Sequence, residues 1–322
     1  MKTQHTLLVG NGLSRTTKNG YSWEKVVKSL ASKANMKYDK NDNTVPFPLL
    51  YEKFFLNCTK MHYNEDVDKK QHGTKKQDYE DEYKKQYVAK PMEDIPHNEF
   101  HKQIASAGFK HIITTNYDYC IQYSVMKDWN PSYSKKDETR YRLYKRHLLG
   151  NTNIWHIHGE INKHKTIMLG QEHYSGALSH MRHYILGDNK KHSAFAKMRD
   201  FDTRPEEKYS WTDVFLRDNV HIVGLGLDFC EIDLWWLLVI KERIRSKKLD
   251  FPFPIEHKVG ETYYYYRDKD LDEKEEIDRI SMLKSLGVKT MPIPLNKDIW
   301  DQDTWNEYYQ KVLNKIIKEK QG

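Results

Sequence analysis

HIITTNYDYC, residues 111–120, joins a short apolar run to a polar cluster, and its reading decides what kind of sheet this chain builds. Ile112 and Ile113 make a strand that is too short and too apolar to have one wet face, as expected where helices cover both sides of a sheet. Thr114, Thr115, Asn116 and Asp118 follow at its C-terminal end. A second run, IWHIHGE from Ile154, delivers His156 and His158 in the same way. In an open α/β sheet, ligands bind outside the carboxyl ends of the strands. An amide, a carboxylate and an imidazole carried to one rim can hold hydroxyl groups and move a proton.

Further runs of the same type are TLLVG from Thr6, VHIVGLG from Val220, TYYYY from Thr262 and VKTMPI from Val288. Amphipathic stretches lie between them. SWEKVVKSLASKA, from Ser22, places Trp23, Val26, Val27 and Leu30 on one helical face, and EEIDRISMLKSLG ends at Gly287, a helix stop. Strands alternating with helices predict an α/β fold: a Rossmann-like, doubly wound, mostly parallel sheet with helices on both faces. The chain reads as a single domain, 1–322, interrupted by a charged helical lobe at 35–100 that contains PFP at Pro46. Two irregular regions, 127–153 and 187–208, read as surface loops, with a lid as one role for them. In His156–Ile157–His158, strand alternation puts the two imidazoles on one face.

The totals narrow the class. Of 322 residues, 38% are hydrophobic and 13% aromatic, enough for a packed core, while 31% are charged. The net charge of +7 favours anionic partners. The basic residues are interleaved with acidic ones, as in KKQDYEDEYKK at Lys75, which reads as a solvated helical face rather than a nucleic-acid patch. Cys58, Cys120 and Cys230 stand far apart, with no C-x-x-C pair, which disfavours a disulfide scaffold and a thiolate zinc knuckle and fits a reducing compartment. The first apolar run is too short for a signal peptide, and LWWLLVI at Leu234 is too short for a membrane span. A cytoplasmic protein without membrane contact is expected.

VGNGLSR follows the first strand and precedes a helix. Gly10 and Gly12 permit a sharp bend and close approach, and the helix start offers donors to a phosphate, with Ser14 and Arg15 beside it. Arg15 stands where a dinucleotide fingerprint would have its third Gly, and no Gly-Lys-Ser/Thr follows, so a plain strand-to-helix turn fits equally well. Asn116 and Asp118 can serve as helix caps instead of site residues. Gly224 and Gly226, with Asp228 and Asp233 after them, fit either a ribose site or a tight turn with a helix cap.

Taken in order, the segments resemble the SIR2-like family. GNGLS at Gly10 looks like its opening glycine loop, NGYSW at Asn19 like the turn and Trp that follow, TTNYD at Thr114 like its Asn-x-Asp motif, HIHG at His156 like its catalytic His-Gly, and GLGLDFCEID at Gly224 like its late glycine segment. The chain departs from the deacylases of that family: it has no four-Cys zinc module, and Asn11 stands in place of Ala. The zinc-free branch is similar to NAD+-hydrolysing effectors of bacterial antiphage defence, and AbiH-type abortive-infection proteins are distantly similar. The resemblance implies an NAD+ glycohydrolase releasing nicotinamide and ADP-ribose, with NAD+ as substrate and neither cofactor nor zinc. It implies Asn116, His158 and Asp118 as the catalytic set. Gly10, Asn11, Gly12, Ser14 and Thr115 would lie toward the pyrophosphate, and Gly224, Gly226 and Asp228 toward the adenosine. It further implies a gated enzyme, held in a homo-oligomer or in a complex with a second defence protein. The alternatives are a non-catalytic NAD+ or ADP-ribose sensor and, less favoured, a nucleic-acid-associated protein.

Overall fold

Seven strands form one sheet: β1 (His5–Val9), β2 (His111–Thr114), β3 (His147–Leu149), β4 (Thr152–His156), β5 (Asn219–Val223), β6 (Thr262–Arg267) and β7 (Lys289–Ile293). Their order is β3-β4-β2-β1-β5-β6-β7, and every pair is parallel except β3 with β4. Numbered among themselves, the six parallel strands run 3-2-1-4-5-6, the doubly wound order, whose topological switch lies between β1 and β5. The computed structural model describes residues 4–17, 22–38, 45–67, 76–131, 140–141, 143–187, 208–247, 259–268, 274–295 and 301–321.

Alternation along each strand divides the core in two. Leu7, Val9, Ile112 and Ile154 face one layer, and Leu8, Ile113, Trp155 and Ile222 face the other. The first layer holds α1 (Trp23–Lys33), α2 (Phe47–Val67), α3 (Lys76–Lys84) and α4 (Glu99–Ser106); α3 runs on through a π-helical turn at Lys85–Ala89. A single turn, α5 (Cys120–Tyr123), follows β2. The second layer holds α6 (Gln171–Leu186), α7 (Trp211–Arg217), α8 (Ile232–Arg245) and α9 (Lys274–Ser285). The last helix, α10 (Gln302–Gln321), returns to the first layer through Tyr308, Tyr309 and Val312. The expected Rossmann-like α/β fold is the observed one.

Three details depart from expectation. β3 lies inside 127–153, which reads as a loop; it is three residues long and caps the edge of the sheet antiparallel to β4. The region 35–100 does form helices, but Leu50, Tyr51, Phe54 and Tyr83 of α2 and α3 join the same core as β1 and α1. β4 stops at His156, and the chain turns through Ile157 and His158 before Gly159, whose φ is 103°. Strand alternation therefore does not set the side on which His158 lies. Asn19 and Gly20 of the NGYSW motif, and nearly all of 187–208, lie outside the described residues. Among the described residues, no helix is long and apolar enough to cross a membrane.

Candidate functional site

The strand register sets His156, Thr114, Val9 and Val223 side by side across β4, β2, β1 and β5. Each of the four motif segments leaves the sheet at that line, so residues far apart in sequence share one rim.

At the switch point the two glycine turns cross. The Gly10 and Gly12 amides donate to Val223 O (2.9 Å) and Gly224 O (2.7 Å). A Cβ on Gly10 would stand 2.7 Å from Leu225 Cα, and one on Gly12 would stand 2.7 Å from Gly224 Cα. Close backbone approach thus accounts for both glycines, and their amides are committed to the neighbouring strand end. Gly224 has φ 64°, a conformation that favours glycine, whereas a Cβ on Gly226 would meet nothing. Asn11 is half-buried in the 3-10 turn Asn11–Thr16. Ser14 is fully buried in the same turn, and its hydroxyl has no hydrogen-bond partner.

Beyond β2, the Thr115 amide donates to Val9 O (3.2 Å). The Asn116 side-chain amide donates to Gly10 O (3.3 Å), tying the second motif to the first. Asp118 is buried and accepts from the Cys120 amide (2.9 Å), a side-chain turn that leads into α5, whose N-cap is Tyr119.

The two histidines are held differently. His156 Nδ1 donates to Asn116 O (2.8 Å), so its Nε2 accepts from Gln122 Nε2 (2.8 Å). Burial lowers its pKa to about 4, against the pull of that carbonyl and of Asp118, so the ring is neutral and fixes the Asn116 loop. His158 lies 2.8 Å through Nε2 from Asp233 Oδ2, and Tyr174 of α6 packs edge-on against its ring at 5.4 Å. Burial alone would lower its pKa, but the Asp233 carboxylate outweighs that and raises it.

The sequence offered Asp233 only as a ribose-side or helix-cap carboxylate, not as a partner of His158, and it did not offer Glu231. Burial raises Glu231 to about 7, opposed by His158 and reinforced by Asp233 and Asp228. Glu231 Oε2 and Asp233 Oδ1 are buried and without hydrogen-bond partners. Asp228 is exposed and accepts from the Cys230 amide (2.9 Å), which shapes the loop. Leu227, fully buried with φ 49°, adds strain of about 1–2 kcal/mol to that loop. Three buried polar atoms thus lack partners at one rim: Ser14 Oγ, Glu231 Oε2 and Asp233 Oδ1. Such groups are costly unless something binds them.

Residues 110–210 match the family model described as SIR2-like domain. The match spans about a third of the 322 residues and contains Asn116, Asp118, His156 and His158, while the glycine turns at Gly10 and Gly224 lie outside it. It bears out the SIR2-like resemblance and points to NAD-related activity. No curated protein matches the chain.

Proposed function

Since residues 110–210 carry the SIR2-like signature, we propose that this protein hydrolyses NAD+ at the nicotinamide–ribose bond. The observation that supports this most is the linkage of four strand ends at one rim. Asn116 is bonded to the Gly10 turn, the Gly12 amide to Gly224, and His158 to the first turn of α8, which follows the Gly224 loop.

The chemistry asks little of an acid. Nicotinamide leaves with the electron pair of the broken C–N bond and becomes neutral, while positive charge develops on the ribose. A water molecule then attacks the anomeric carbon and gives up one proton, so that NAD+ and water yield nicotinamide, ADP-ribose and a proton. Asn116 orients the ribose hydroxyls and that water, a positioning role. His158 receives the proton. Asp118 stabilises the Asn116 loop by holding the Cys120 amide. Asn11, Ser14 and Thr115 line the pyrophosphate side of the Gly10–Gly12 turn, and Gly224, Gly226 and Asp228 border the adenosine. NAD+ is the substrate here, and the reaction draws on no other cofactor.

An enzyme that drains NAD+ poisons its own cell when always active. We therefore read it as a gated effector of antiphage defence, restrained by self-assembly or by a second protein. This part of the reading rests on the family resemblance alone.

The test incubates the purified full chain with NAD+, alone and with co-expressed neighbouring gene products, and follows nicotinamide by chromatography. Asn116→Ala and His158→Ala are each expected to abolish nicotinamide release while retaining a cooperative thermal melt. Full activity in both variants defeats the assignment. Bound but intact NAD+ identifies a sensor instead.

A further inference from the structure

The His158–Asp233 contact is an uncommon one for this topology. His158 follows β4 and Asp233 follows β5, and β2 and β1 lie between those strands. At roughly 4.8 Å per strand the two strand ends are about 14 Å apart, yet Nε2 and Oδ2 are 2.8 Å apart. Both chains have to bend over the rim to meet. On one side the bend is the turn at Ile157–His158 before Gly159; on the other it is the 224–231 loop with its left-handed Leu227. Asp233 then sits in the first turn of α8, where the helix dipole favours a carboxylate.

We propose that Asp233 is the positioning residue for His158, fixing the imidazole in the Nε2–H tautomer so that Nδ1 holds the lone pair used as base. This rests on the hydrolase reading above. An ionised carboxylate only accepts, so the proton between the pair sits on Nε2 and the other ring nitrogen is left basic. The Tyr174 ring packs against the imidazole at an interplanar angle of 80°. Asp233 Oδ1, buried and without a hydrogen-bond partner, is a second acceptor at the same rim.

The groups facing this pair come from several elements. Glu231 and Asp228 lie on the same loop, Tyr174 on α6, Tyr117 on the loop after β2, and Arg279 on α9 beside Glu231. Asp233 and Glu231 both raise the affinity of the imidazole for a proton. A merely structural ion pair would lower stability on removal and leave the pH profile alone, so the pH profile discriminates.

Asp233→Asn in the full chain, with labelled histidine and the His158 resonance assigned through His158→Gln, provides the test. In the wild type His158 is expected as the Nε2–H tautomer, titrating above 6.5, the ordinary value. In Asp233→Asn that titration should fall, with kcat reduced on the order of 100-fold and KM for NAD+ nearly unchanged. The Nδ1–H tautomer in wild type overturns the proposal even if the variant fails to fold. So does an Asp233→Asn protein with unchanged titration and unchanged kcat. A shifted titration in a protein that never cleaves NAD+ sinks the hydrolase reading and leaves the pairing intact.

Discussion

His156 and His158 stand two positions apart, and their neighbours set them to opposite protonation behaviour. His156 donates to a backbone carbonyl and is buried without a dedicated carboxylate, so it stays neutral. His158 has Asp233, and its affinity for a proton is raised. A third ring, His221 on β5, is fully buried between His5 Nδ1 (2.8 Å) and the Tyr265 hydroxyl (2.8 Å), and burial lowers its pKa to about 3. The unfolded chain takes up this proton at about 6.5, whereas the folded chain refuses it until about 3. Between those values the unfolded state binds more protons, so stability falls as the pH is lowered through the window. Urea denaturation at about pH 7 and about pH 5 should therefore show a lower midpoint in acid. His221→Leu should be less stable at neutral pH, since two hydrogen bonds are lost, and should show a shallower drop. An equally steep drop in the variant would assign the effect to other groups.

The crossing of the β1 and β5 turns is an element-level device with a direct cost when disturbed. A methyl group on Gly12 meets the Gly224 backbone and the Tyr309 hydroxyl, and backbone cannot swing aside as a side chain can. Gly12→Ala should cost on the order of 2 kcal/mol in chemical denaturation and reduce NAD+ turnover with it, because the same turn borders Asn116. Gly226→Ala meets nothing and should cost only a few tenths of a kcal/mol. Equal destabilisation by the two changes would refute the crossing as the reason for Gly12. The six parallel strands were legible as short β-type runs; burial on both faces wrote itself into β1, β2, β4 and β5, whereas β7 at the sheet edge is largely uncovered. β3 was not, since His147–Leu149 is only three residues long, lies among Lys, Arg and Tyr, and owes its conformation to pairing with β4. Asn116 and His158 were singled out because each follows closely on a strand run. Asp233 was not identified as a site residue, because its partner lies 75 residues away and nothing local distinguishes it from a helix-start carboxylate. The shared face expected for His156 and His158 rested on strand alternation, and β4 ends at His156, two residues before His158.

For the molecule as a whole, the question is how the charged helices between β1 and β2 are held against a sheet they do not enter. Glu80, just ahead of the buried end of α3, reaches across to the N-terminus of α6. His173 Nδ1 accepts from the Leu169 amide (2.9 Å) and the Gly170 amide (3.0 Å), so its Nε2 carries the hydrogen and donates to Glu80 Oε1 (2.7 Å). The Tyr51 hydroxyl of α2 donates to the same oxygen (3.1 Å), and the buried Lys84 ammonium lies 3.9 Å away. Burial alone would raise the Glu80 pKa, but His173 and Lys84 bring it down to about 2, so the carboxylate remains charged while His173 stays neutral. One acceptor thus joins α2, α3 and α6. His173→Ala removes the donor and leaves two backbone amides and a buried carboxylate short of partners, a loss of about 3 kcal/mol or more. The consequence should be regional. Hydrogen exchange should show protection lost first across α2, α3 and the start of α6, with β1, β2 and β5 retaining theirs. Glu80→Gln, which keeps an acceptor oxygen for His173 and Tyr51, should fall between wild type and His173→Ala. Uniform loss of protection over the sheet in His173→Ala would mean that the lobe and sheet unfold as one unit and that this junction is not where they part.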